Sequence, residues 1–319
     1  MNFDAFFKPS SVAVIGASRE EGKVGHQVLN HLIEGGFEGE IYPVNPKAEE
    51  IEGLECYENI GDIDPAPELA IIVLPAKLVE RVLRETGRAG VKAAIILSAG
   101  FKEAGEEGRN RERSLVKIAK RTNLRFLGPN CLGLLSPKTK LNASFAGRLP
   151  PEGHIGYFSQ SGSLLASILD MASSNGVGFS RLISIGNKAN IDEIDVLDAL
   201  GQDEETAVIA GYLESITDGD AFLRKAQEIS REKPILLLKS GETGAGAEAA
   251  SFHTGRLLSA ESVYQAVFRQ AGVVRCSSIT QQFNCSLAMS NQPLPEGKGV
   301  AVIANAGGPG IMAADAIEE

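Results

Sequence analysis

Residues 11–25 read SVAVIGASREEGKVG. The run 11–15 is apolar and mostly β-branched, and it stops at Gly16 as a buried strand stops at a turn. After Gly25, the stretch HQVLNHLIEGGF places Val28, Leu29, Leu32 and Ile33 at helical spacing, and Gly35-Gly36 ends that helix. Strand, Gly-containing turn and helix, in that order, make a βα unit. The unit recurs downstream. Strands are predicted at 41–44, 69–74, 93–97 and 124–127, with helices at 78–88 and 109–121 between them.

Strands that are apolar throughout, alternating with amphipathic helices, imply a parallel sheet covered on both faces. The expected fold class is α/β, with a Rossmann-like domain over 1–137. A polar stretch with Gly and Pro, 136–153, is expected to be a linker. A second α/β set then fills 138–290, with strands at 155–158, 179–185, 207–213 and 234–238. Its first helix follows SQSGS and stops at Gly176. Others are predicted at 194–200, 221–229 and 260–271. QPLPEGKG reads as a further linker, residues 300–304 (VAVIA) as a strand, and NAGGPG as a helix start. One strand and a short helix cannot bury a core. The segment 291–319 is therefore expected to be a linker and the start of a third α/β domain.

The net charge of the 319 residues is −10, and 43% of them are hydrophobic. The acidic balance argues against a partner made of nucleic acid or an anionic membrane. An apolar run of the roughly 18 residues needed for a membrane span is missing. The start runs straight into a strand with no signal-peptide pattern. Cys56, Cys131, Cys276 and Cys285 are scattered without CxxC spacing or a nearby His, which fits a reducing cytoplasm and no metal site.

The turn from Gly16 to Gly25 is not a Walker A loop. Five residues separate Gly16 from Gly22-Lys23, and Val24 stands where Ser or Thr is needed. It is not GxGxxG either, because Ser18 occupies the second Gly position. The second strand ends in Val44-Asn45-Pro46-Lys47, where a nicotinamide site wants an acid. A lysine there suits a phosphate, such as the 3′-phosphate of coenzyme A. Val73-Leu74-Pro75, Leu97-Ser98-Ala99 and the loop around Asn130 also follow strand ends, where open α/β sheets bind ligands. Cys131 lacks a cationic neighbour in sequence that would activate it. A long Gly/Ala/Ser loop, 241–255, carries His253 between a strand and a helix.

The ordered set of motifs resembles the α subunit, or α half, of the NDP-forming acyl-CoA synthetases, the superfamily of succinyl-CoA synthetase and ADP-forming acetate–CoA ligase. The resemblance covers essentially the whole chain. It is carried by Val14-Ile15-Gly16-Ala17-Ser18 with Gly22-Lys23-Val24-Gly25, by Tyr42-Pro43-Val44-Asn45-Pro46-Lys47 and by Gly128-Pro129-Asn130-Cys131-Leu132-Gly133. Phe158-Ser159-Gln160-Ser161-Gly162-Ser163, His253-Thr254-Gly255 and Asn305-Ala306-Gly307-Gly308-Pro309-Gly310 follow in the family's order.

The resemblance implies a CoA-binding Rossmann-like domain and then a flavodoxin-like ligase domain. It implies that His253 is phosphorylated in turnover, that Glu214 orients it, and that Ser159, Ser161 and Gly162 hold the phosphate at a helix N-terminus. Gly186 and Asn187 are placed at a second such end. The expected CoA contacts are Gly16, Ser18, Gly22, Lys23, Val24, Gly25, Lys47, Val73, Leu74, Pro75, Leu97, Ser98, Ala99 and Asn130. Implied partners are an ATP-grasp subunit or domain holding ADP or ATP with Mg²⁺, together with acyl-CoA and phosphate, in a hetero-oligomer or homodimer. The chain departs from the family at Phe252, before the histidine, and at Arg256-Leu257-Leu258 after it, where small residues are usual. Two other readings compete: a non-catalytic CoA-binding regulatory module, such as the ligase-like half of a protein acyltransferase, and a nicotinamide dehydrogenase. Lys47 and the missing GxGxxG speak against the second.

Overall fold

The computed structural model describes residues 3–241, 261–295 and 297–318. In chain order the first half holds α1 (Asp4–Phe7), β1 (Ser11–Ile15), α2 (Val24–Glu34), β2 (Glu40–Val44), β3 (Glu50–Ile51) and β4 (Leu54–Glu55). Then come β5 (Leu69–Ile72), α3 (Ala76–Ala89), β6 (Ala93–Ile96), α4 (Glu106–Thr122) and β7 (Arg125–Leu127). Among the described residues β2-β1-β5-β6-β7 form a parallel sheet.

Its strands bury both faces, and the alternation of side chains sorts them into two cores. Val12 and Val14 of β1, with Leu69 and Ile71 of β5, pack against Val28, Leu29 and Leu32 of α2. Ala13, Ile15, Ala70 and Ile72 face the other way, onto Val79, Leu83, Leu115 and Ile118 of α3 and α4. Burying one such Leu or Ile contributes about 1.5–3 kcal/mol. The helices stop where the backbone turns left-handed, at Gly90 after α3 and Asn123 after α4.

The second half holds β8 (Gly133–Ser136), β9 (Leu141–Ser144), β10 (Glu152–Ser159), α5 (Gly162–Asn175), β11 (Phe179–Ser184), α6 (Glu193–Gln202), β12 (Val208–Leu213), α7 (Gly219–Ile229) and β13 (Ile235–Lys239). It continues with α8 (Glu261–Gln270), β14 (Val274–Cys276), α9 (Ile279–Asn291) and α10 (Gly307–Glu318). The sheet order is β14-β13-β12-β10-β11-β8-β9, parallel except where β8 pairs antiparallel with β11 and β9.

Two expectations fail here. The stretch 136–153 is not a bare linker, because β9 and the end of β8 extend the second sheet. Its buried polar residues are hydrogen-bonded: the Ser144 hydroxyl donates to Asn142 Oδ1 at 2.6 Å, and Asn142 Nδ2 donates to the Gly147 carbonyl at 3.0 Å. Residues 300–304 form no strand. They lie beside no described strand, and a strand without a pairing partner is not stable; Ile303 is 98% exposed. NAGGPG opens a helix as expected, from Gly307.

The two sheets share one continuous apolar core, in which Ile71 and Ile95 join Leu134, Leu141 and Ile183. Polar contacts fix the join. Arg125, in β7, donates to Asn190 Oδ1 at 3.0 Å and pairs with Asp195 Oδ2 at 2.7 Å.

Candidate functional site

A cleft of about 580 Å³ opens at the carboxyl ends of β1, β2 and β5. Gly16 ends β1 at φ +95°, and a Cβ there would run into the Val73 carbonyl oxygen. A Cβ at Gly25 would strike the carbonyl of Gly16, so α2 sits directly on the turn. The first N–H groups of α2 have no intrahelical acceptor and make an anion-binding end. Of the residues expected at CoA, Gly16, Ser18, Lys23, Lys47, Leu74 and Pro75 line the cleft. Asn45 shapes the Lys47 side, donating to the Ala17 carbonyl at 2.7 Å and accepting the Lys47 N–H at 2.9 Å.

Gly22, Val24, Gly25, Val73, Leu97, Ser98, Ala99 and Asn130 do not line that cleft. Several support it instead. Ser98 accepts the Leu74 N–H on its hydroxyl at 3.1 Å, and the Asn130 N–H on its carbonyl at 2.9 Å. Two lining cations escaped the sequence reading: Arg19, whose Nε donates to the Glu50 carbonyl at 2.8 Å, and Arg81 on α3. Arg19 lies within the turn from Gly16 to Gly25, where chain order already marks it; for Arg81 only helix packing decides that it reaches the cleft. Cations beside a helix N-terminus, with Ile15, Val44, Ile60 and Leu74 as an apolar wall, fit a nucleotide carrying phosphates. Cys131 is buried, and that burial pushes its thiol up to about 12, away from the thiolate that a nucleophile needs.

A second set of groups gathers at the carboxyl end of the second sheet. Ser161 caps α5, accepting the Leu164 N–H at 3.3 Å, and leaves the N–H groups of Gly162 and Ser163 without intrahelical acceptors. Ser159 is fully buried. Its hydroxyl donates to the Ser161 carbonyl at 2.6 Å, so it shapes the turn rather than facing a ligand. Glu214 follows β12 and is 6% exposed. Gln160 joins the two loops: its Oε1 accepts the N–H of Glu214 at 3.0 Å and that of Ser215 at 3.2 Å. His253 lies outside the described residues.

Gly186 and Asn187 do not stand at a helix N-terminus, because α6 opens at Glu193 with Asp192 as its cap. The Asn187 N–H is taken by the Pro129 carbonyl at 2.9 Å, and its side-chain amide by Glu103 and Glu112. Asn187 therefore ties the two halves together. Burial pushes the Glu103 carboxyl up, but hydrogen bonds from Asn187, Phe101 and Gly100 outweigh it and hold the group below its usual range. At Glu112 burial prevails over Asn187 and Lys102, and the carboxyl is raised.

A parallel α/β domain with a phosphate-suited cleft, joined to a second sheet in which Gln160 links the start of α5 to a buried glutamate, is an arrangement that suits a CoA-binding, ligase-type protein. The CoA binding domain family matches residues 10–137, and the succinyl-CoA ligase like flavodoxin domain matches 152–289. The ADP-forming acetate–CoA ligase I subunit alpha of Pyrococcus furiosus is 43% identical over all of this chain and 70% of its own length. The chain belongs to the family of ADP-forming acyl-CoA ligase α subunits. The ADP-forming acetate–CoA ligase I of Archaeoglobus fulgidus is 44% identical over 99% of the chain, which spans 46% of that longer relative. A solved structure of the dinucleotide-forming acetyl-coenzyme A synthetase 1 of Ca. Korarchaeum cryptofilum, in complex with phosphate and ADP, superposes with a TM-score of 0.96. It is 37% identical, covering 99% of this chain and 68% of that one. Among the described residues no helix is long and apolar enough to cross a membrane.

Proposed function

We propose that the chain is the α part of an NDP-forming acyl-CoA synthetase and works with an ATP-grasp subunit or domain. The overall reaction is acyl-CoA + phosphate + ADP giving carboxylate + CoA + ATP, reversibly. One observation carries the reading: Gln160 ties the anion-binding end of α5 to buried Glu214, as a site for a glutamate-oriented phosphohistidine requires.

The first domain holds acyl-CoA by its phosphates, with Lys47, Lys23 and Arg19 at the cleft. A phosphate oxygen attacks the thioester carbonyl, the C–S bond breaks, and CoA leaves as the thiol. A ring nitrogen of His253 then attacks the phosphorus of the acyl phosphate, and the P–O bond to the acyl group breaks with the carboxylate as leaving group. Glu214 accepts the hydrogen of the other ring nitrogen, which fixes the tautomer and raises nucleophilicity. The N–H groups at Gly162 and Ser163 stabilise the phosphoryl oxygens. Transfer to ADP belongs to the ATP-grasp partner, where Mg²⁺ supplies charge neutralisation on the phosphate oxygens.

The test is ATP formation from acetyl-CoA, phosphate and ADP by the chain combined with an ATP-grasp partner. Turnover that needs both components supports the reading. CoA binding without any turnover by a folded complex would instead favour the regulatory module.

A further inference from the structure

Lys188 follows Asn187 and takes a left-handed backbone, φ +55°, which residues carrying a Cβ seldom adopt. Its side chain is 3% exposed. The ammonium lies 2.8 Å from Oε2 of Glu193, whose side chain is fully buried, and donates to the Ser215 carbonyl at 2.6 Å. Glu193 in turn accepts from the Thr217 hydroxyl at 3.2 Å and from the Thr217 N–H. The Ser215 hydroxyl stands 3.5 Å from both Lys188 Nζ and Gln160 Nε2. The turn that starts at Glu214 is thus held from the β10 side by Gln160 and from the β11 side by the Lys188–Glu193 pair.

A buried ion pair adds little net stability, because desolvation offsets its attraction. What it does supply is fixed geometry at the atoms it bonds. We propose that Lys188 is a positioning residue for Glu214. With Glu193 as counter-ion it anchors the Ser215 carbonyl and so sets the direction in which the Glu214 carboxylate leaves the sheet. The inference depends on the reading above, in which Glu214 orients the phosphorylated histidine.

The test compares variants of the complete enzyme, with its ATP-grasp partner, on acetyl-CoA, phosphate and ADP. Lys188→Met alone would strand the Glu193 charge, so it is combined with Glu193→Gln. Lys188→Gln with Glu193→Gln, a neutral pair able to hydrogen-bond, serves as a second variant should the first not fold. A displaced orienting carboxylate is expected to lower kcat about 10- to 100-fold, with the KM for acetyl-CoA within about twofold of the parent. Adding Glu214→Gln to either pair should lower kcat by less than about threefold more, because both changes remove one orientation. Unchanged kcat in a folded variant overturns the inference. So does a fall that multiplies with that of Glu214→Gln, which marks an independent structural effect. If Glu214→Gln alone leaves kcat unchanged, the reading of Glu214 itself fails; if it lowers kcat while the paired variants do not, only the role of Lys188 falls.

Discussion

The side-chain amide of Asn187 donates to Glu112 Oε2 at 2.7 Å, reaching from the loop after β11 to α4 of the first domain. Burial raises the Glu112 carboxyl above its ordinary 4.5. A carboxyl raised on folding binds its proton more tightly in the folded state, so its charged form weakens the fold at neutral pH. That penalty disappears as pH falls from above the raised folded value to below 4.5. Glu112→Gln should therefore raise the Tm at pH 7, and the gain should shrink as the pH is lowered through that window. Thermal melts of parent and variant across pH check this; a lower Tm at pH 7 would mean that the pairing with Lys102 outweighs the burial.

Gly25→Ala should disturb the first domain more than its small size suggests. The added Cβ would strike the Gly16 carbonyl and push α2 off the turn that lines the cleft. A cost of about 1–3 kcal/mol in stability is expected, together with weaker CoA binding. Melting curves and calorimetry check the two effects; an unchanged Tm and affinity would show that the helix moves freely there.

Lys47→Ala should weaken CoA binding while leaving 3′-dephospho-CoA unaffected. A charge-assisted contact is worth roughly 1.5–3 kcal/mol. Lys47 is exposed, so solvent screening reduces this to about a tenfold change near physiological salt. Calorimetry with the two ligands decides it: equal weakening for both would remove Lys47 from the 3′-phosphate.

The βα units were legible because β1, β5 and β6 bury both faces and so read as unbroken apolar runs. Their helices end at glycines such as Gly90 and Gly176, visible as letters in the sequence. β9 was hidden because Asn142 and Ser144 are polar yet buried, satisfied by partners no pattern displays, and β8 because it is only the four residues GLLS. Residues 300–304 misled for the opposite reason, having a strand's composition without a strand beside it. At the site, Ser18, Lys23 and Lys47 stand in loops that chain order already marks. Gln160, after β10, and Lys188 with Glu193, between β11 and the start of α6, meet at the turn after β12, and periodicity carries no sign of such a meeting. The resemblance points Asn187 at phosphate, but its amide is taken by Glu103 and Glu112.

The central claim is phosphoryl transfer through His253, and labelling tests it most directly. The complete enzyme, mixed with acetyl-CoA and radioactive phosphate, should take up label that is acid-labile and base-stable, as a phosphoramidate is. His253→Asn should abolish the label and leave CoA affinity nearly unchanged, since it removes a nucleophile and not a binding contact. Label that persists undiminished in the His253→Asn enzyme would contradict the account.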